Sequence, residues 1–214
     1  MKKLLLLLSL SILLISGCSD TTSHSKSVYM LLDTSGTYTR ELDKAAVIIN
    51  YLLGTLQPGD SLAVARIDTG SFSEKDIVQK MTFDGRPSVS NQQKRDFKEN
   101  IDTFVKTVKG APYTDITGGL LQAAESLYET GAGRKVILVF SDMEEELAKG
   151  YVRDIPLQLQ GIEVVALNVT KLRGDIIDPR KYMSRLEDWK TKVESGQGQW
   201  RVINDLERLE RILE

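Results

Sequence analysis

Tyr29-Met30-Leu31-Leu32-Asp33-Thr34-Ser35-Gly36-Thr37 sets an apolar run hard against an acid, three hydroxyls and a glycine. The run, from 28 to 32, shows no polar alternation, as expected of a strand covered on both faces of a sheet. Its end is abrupt. Asp33, Ser35 and Thr37 crowd oxygen donors into five positions where the chain must turn, and a short polar turn at the end of a buried strand is a place where ligands collect.

Outward from this strand, helical and strand patterns alternate. Apolar residues at Leu42, Ala45, Ala46, Ile49, Leu52 and Leu53 form a helical stripe within 38–56, and Gln57-Pro58-Gly59-Asp60 stops it. A second strand is expected over 62–67, a turn over 68–71, and a short edge strand over 77–83 before Gly85-Arg86-Pro87. Phe97, Ile101, Phe104, Val105 and Val108 give one apolar side to a helix over 91–108. A helix over 117–128, strands over 135–140 and 162–169, a helix over 179–193, a strand over 199–203 and a closing amphipathic helix over 205–213 complete the pattern. Such alternation predicts an α/β fold, a doubly wound and mainly parallel sheet with helices on both faces.

A second apolar strand ends in Ser141-Asp142, and Tyr113-Thr114-Asp115-Ile116-Thr117 precedes the Gly118-Gly119 helix start. In an open α/β sheet these turns lie at the carboxyl ends of strands, where strand order reverses and ligands bind. Each has a plainer use as a turn or helix cap. Taken in order, Asp33-x-Ser35-x-Thr37, a later threonine before a glycine-rich helix start, and a strand ending in aspartate resemble the von Willebrand factor A (VWA) domain, with its Rossmann-like sheet. The resemblance covers nearly all of the chain after its first segment. It implies a metal-ion-dependent adhesion site in which Ser35, Thr37 and Thr114 coordinate through hydroxyls, and Asp33 and Asp142 hold the ion directly or through water. Met143 follows the second aspartate where that family usually has glycine, and Thr114 follows Tyr113 rather than glycine.

The donor chemistry agrees with the resemblance. Hydroxyls and carboxylates are hard oxygen donors suited to Mg²⁺ or Mn²⁺. Hydroxyls in place of further carboxylates leave the ion electrophilic, and an open position would accept a carboxylate from a protein partner, as the family's ligands do. Glu144-Glu145-Glu146 reads as a solvated first helical turn. Arg173-Gly174-Asp175 follows a strand on the same side, so Arg173 and Asp175 are candidates for a ligand-binding rim. Two other readings remain open. Asp33-Thr34-Ser35-Gly36-Thr37 also resembles the first motif of haloacid dehalogenase-like phosphohydrolases, but Ser35 stands where that family's acid–base aspartate belongs and cannot do its work at neutral pH. A metal-free interaction scaffold is the third. The expectation is a binding module and not an enzyme.

The 214-residue chain opens with Lys2-Lys3, an apolar run from Leu4 to Ile15, then Ser16-Gly17-Cys18. That order is a secretory signal, too short to span a bilayer as a helix. Ile15-Ser16-Gly17-Cys18 resembles the lipobox of bacterial lipoproteins, which implies cleavage after 17 and acylation of Cys18, including palmitate. The segments are therefore a signal peptide at 1–17, a lipidated flexible linker at 18–27 and a VWA-like domain at 28–214. A cell-envelope location follows, at the outer membrane if the host is Gram-negative, because Ser19 rather than aspartate follows the cysteine. The formal net charge is −2, two units more negative without Lys2 and Lys3. With no basic cluster, nucleic-acid binding is not expected. Cys18 is the only cysteine and His24 the only histidine, so the domain can hold neither a disulfide nor a Ser-His-Asp triad.

Overall fold

The computed structural model describes residues 24–36, 38–67 and 73–213. Six strands form one sheet: β1 (Lys26–Asp33), β2 (Ser61–Ile67), β3 (Ile77–Thr82), β4 (Arg134–Phe140), β5 (Ile162–Leu167) and β6 (Gln199–Ile203). Their order is β3-β2-β1-β4-β5-β6, and every pair is parallel except β2–β3. The apolar run at 28–32 thus lies near the sheet's centre, between β2 and β4. Alternate side chains explain its composition. Val28, Met30 and Leu32 enter one core while Tyr29 and Leu31 enter the other.

Helices cover both faces. α1 (Leu42–Thr55) and α2 (Pro87–Thr107) pack on the first core through Ile48, Ile49, Leu52, Phe97 and Ile101. α3 (Ile116–Glu129) and α5 (Pro179–Ser195) pack on the second through Leu120, Ala123, Trp189 and Val193, with the short α4 (Arg173–Ile177) between β5 and α5. Strand order reverses across β1 and β4, so the carboxyl ends of these neighbours form the crevice that the doubly wound pattern predicts.

The structure corrects three boundaries. β1 begins at Lys26, two residues inside the expected linker, because Lys26 N donates to Asp60 Oδ1 at 2.7 Å and Ser25 O accepts from Arg134 N. α2 starts at Pro87, which the sequence presents as a break; proline is acceptable at the first helical position, where its missing N–H has no partner to lose. The closing helix over 205–213 is only a 3₁₀ turn at Leu209–Leu213. So short a segment is a poor autonomous helix, and Arg201 takes the carbonyls of Arg211 and Ile212.

The acidic run 144–146 is not a helical turn either. Residues 141–161 cross from β4 to β5 without a helix, anchored by buried Leu157 and Leu159. The expected turn at 68–71 lies outside the described residues. Among the described residues, no helix is long and apolar enough to cross a membrane.

Candidate metal centre

Asp33 closes β1 and is fully buried, because the strand that carries it is covered on both faces. Its Oδ1 accepts the Ser35 amide at 2.8 Å and its Oδ2 accepts the Ser141 hydroxyl at 2.7 Å. The Ser35 hydroxyl also favours the ionised form. Burial outweighs these neutral donors and raises the Asp33 carboxyl above the ordinary range. Among the described residues no cationic side chain pairs with it.

Asp142 lies two residues past β4 and is 6% exposed. Its Oδ1 accepts the Glu144 amide at 3.0 Å. Burial, then the charge of Asp33, push this carboxyl up to about 6, against the pull of the Glu144 amide and Arg185. Burial and the neighbouring Asp33 both raise the cost of a second negative charge in the crevice. Tyr38 borders both acids: it is buried, exchanges hydrogen bonds with Asn168 at 2.6 and 2.9 Å, and its phenol is raised chiefly by burial, with contributions from Asp142 and Asp33.

Main-chain ties bring the third turn to the other two. Ser35 bridges Ala111, whose amide donates to Thr34 O at 2.6 Å. The approach is so close that a Cβ on Gly110 would stand 2.9 Å from the Gly36 Cα, so only glycine fits without displacing backbone. Thr114 is buried and pairs with Glu146 in both directions, at 2.8 and 3.0 Å. Asp115 is a helix cap, accepting from Gly118 N at 2.8 Å and pairing with Arg153 at 2.7 Å. A Cβ on Gly118 would collide with that carboxylate.

The fold therefore gathers Asp33, Ser35, Thr114 and Asp142 onto three tied turns. Thr37 and Cys18 lie outside the described residues. The rim candidates separate: Arg173 is exposed at the start of α4, whereas Asp175 is 2% exposed and engaged by Arg185 at 2.7 Å, so its carboxylate serves the fold's interior. Sequence reasoning did not assign Ser141, although it adjoins Asp142. It also missed Glu145, which accepts from Thr117 N at 2.7 Å and Thr117 Oγ1 at 3.0 Å and so caps α3 from 28 residues away.

Two buried carboxylates with raised proton affinity, bordered by neutral hydroxyls, fit a hard divalent cation. Glycine's usual place after the aspartate has a structural counterpart as well, since Met143 adopts φ 65°, a conformation that favours glycine.

No family model matches the chain. Nor does any curated protein match it significantly in sequence. The fold has clear relatives among solved structures. The pilus adhesin SpaC from Lactobacillus rhamnosus GG, in an open conformation, matches with a TM-score of 0.54 at 12% identity over 91% of this chain and 29% of that one. A von Willebrand factor type A protein from Catenulispora acidiphila matches with 0.52 at 15% identity, over 88% and 41%. Conserved hypothetical protein BatB from Bacteroides thetaiotaomicron matches with 0.50 at 16% identity, over 88% and 95%. This chain thus spans well under half of the first two and nearly all of the third. The chain has a VWA-like fold.

Proposed function

We propose that this chain is a lipid-anchored VWA-type binding module that captures an acidic group of a partner protein through a divalent cation. Asp33, Ser35, Thr37, Thr114 and Asp142 would hold Mg²⁺ or Mn²⁺. The observation that carries this reading is the meeting of Asp33 and Asp142 at the carboxyl ends of neighbouring parallel strands, both raised in proton affinity, with no cationic side chain among the described residues paired to Asp33. When bound, the ion supplies an electrophilic position for an incoming carboxylate. The chain's own part is to hold the oxygens in place. Ser141 and the Ser35 amide fix Asp33, the Glu144 amide fixes Asp142, and the Thr114–Glu146 pairing fixes the third turn. No residue in this reading serves as nucleophile or general acid.

The N-terminal segments complete the proposal: a signal peptide at 1–17, acylation at Cys18, a linker to about 27 and the binding domain to 214. The bacterial cell envelope is the corresponding location, with the outer membrane as the site in a Gram-negative host. The test is capture of envelope protein by the purified domain in magnesium, in chelator and with Ser35→Ala. Capture should require the metal and disappear in the variant. Binding that persists equally in chelator favours a metal-free scaffold, and metal-dependent hydrolysis of generic phosphate esters favours the phosphohydrolase.

A further inference from the structure

The turn that carries Asp142 is held from outside by one helix. Trp189 Nε1 donates to Met143 O at 2.8 Å, and Arg185 Nε donates to Asp142 O at 3.1 Å. The two donors are four residues apart on α5 and so share one helix face. Within the turn, Met143 N donates to Ser141 Oγ at 3.0 Å and Glu144 N to Asp142 Oδ1 at 3.0 Å. Every main-chain polar group from Asp142 O to Glu144 N thus has a partner while Met143 sits at φ 65°. A side-chain-bearing residue enters that region at a cost, and persists there only where its surroundings overdetermine it.

We propose that Arg185 and Trp189 are positioning residues for the Asp142 carboxylate, their two carbonyl contacts doing for Met143 what glycine's conformational freedom would do at that position. The inference rests on the metal-centre reading for its consequence but not for its geometry. Asp175 takes part through Arg185: the guanidinium meets its two oxygens at 2.7 and 3.3 Å, a fork that leaves Nε for Asp142 O. The Asp of Arg173-Gly174-Asp175 therefore orients the arginine that holds the metal-site turn. Lysine cannot replace that fork, because it lacks the planar pair of donors. The ring of Trp189 packs in the second core, so phenylalanine keeps most of the packing while removing the N–H.

The test uses the full chain and three variants, Trp189→Phe, Arg185→Lys and Trp189→Phe/Met143→Gly. One arm reads amide hydrogen exchange at Met143 and Glu144 in chelator; the other reads the affinity for Mn²⁺ alone. Both single variants should speed exchange of these two amides and weaken Mn²⁺ about tenfold or more, the range typical when a group supporting a metal ligand is removed. Met143→Gly should return most of the lost affinity to Trp189→Phe even though it removes a buried side chain and lowers the melting temperature. A merely structural tryptophan predicts the opposite for affinity, with the glycine change weakening Mn²⁺ further as it lowers the melting temperature. Unchanged exchange in both single variants, or no recovery by Met143→Gly, overturns the inference. A wild type that takes up no Mn²⁺ defeats the metal centre, and the exchange arm still decides whether Arg185 and Trp189 set the turn.

Discussion

The Ser141 hydroxyl stands 2.7 Å from Asp33 Oδ2 and joins two parallel strands at their carboxyl ends across 108 residues of sequence. The same oxygen accepts the Met143 amide at 3.0 Å. One hydroxyl therefore serves both acids of the candidate centre, donating to the first and receiving from the turn that carries the second.

Ser141→Ala should destabilise the metal-free protein by about 1–3 kcal/mol, because it strips a buried carboxylate of a donor and an amide of its acceptor. Denaturant unfolding in chelator measures the loss. The Asp33 carboxyl should rise further, since the Ser141 hydrogen bond lowers it now. Stability equal to wild type would mean that water replaces the hydroxyl without cost.

The pH dependence follows from Asp142, which is raised to about 6 in the fold. Below about pH 4 the carboxyl is protonated in both folded and unfolded chains; between about 4 and 6 only the folded chain keeps the proton. Its contribution is thus fully present at low pH and is lost as pH rises through 6, by roughly 3 kcal/mol at most. Other groups run the other way; Asp175, for example, is lowered by Arg185. The wild-type stability minus that of Asp142→Asn, measured in chelator from pH 4 to 7.5, isolates the effect and should fall across that window.

Buried charge also anchors the crossover between β4 and β5. Arg153 pairs with Asp115 at 2.7 Å, with side chains 15% and 3% exposed. Arg153→Met leaves a buried carboxylate at the start of α3 without its cation and should cost about 3 kcal/mol. The Gly118 amide still caps Asp115, so α3 should persist. Circular dichroism with denaturant unfolding tests both parts.

On the proposed reading, localisation depends on acylation of Cys18. Cys18→Ser should leave the protein without its lipid, and the mutant should fail to sediment with membranes after a high-salt wash. A variant that sediments like wild type contradicts acylation as the anchor.

Most of the architecture was legible because the apolar patterns were strong. The uninterrupted runs in β1, β4 and β5 mark strands buried on both faces, and β6 carries its expected limits, Gln199–Ile203. The three turns were legible as neighbours at one end of the sheet because each follows a strand or opens a helix, and the main-chain ties at Ala111 and Glu146 bring them together. Long-range side-chain work was not. Glu145 looks like part of a charged helical turn, yet it caps a helix 28 residues earlier, and nothing local distinguishes the two roles. Asp175 looks like an exposed tripeptide aspartate until Arg185 meets it from α5. The positive φ of Met143 had an indirect trace: it falls at the position where the family that the sequence resembles usually has glycine.

The most direct measurement is the thermal melt of wild type and Asp142→Asn, each in chelator and in millimolar magnesium or manganese. Binding to the folded state alone adds RT ln(1 + [L]/Kd), about 2.7 kcal/mol at a hundredfold excess over Kd. In chelator the variant should match or exceed wild type, since it relieves one of two facing buried charges. With metal, the wild-type melting temperature should rise by several degrees and the variant's hardly at all. A wild-type melt that does not move across that range contradicts a cation at Asp33 and Asp142.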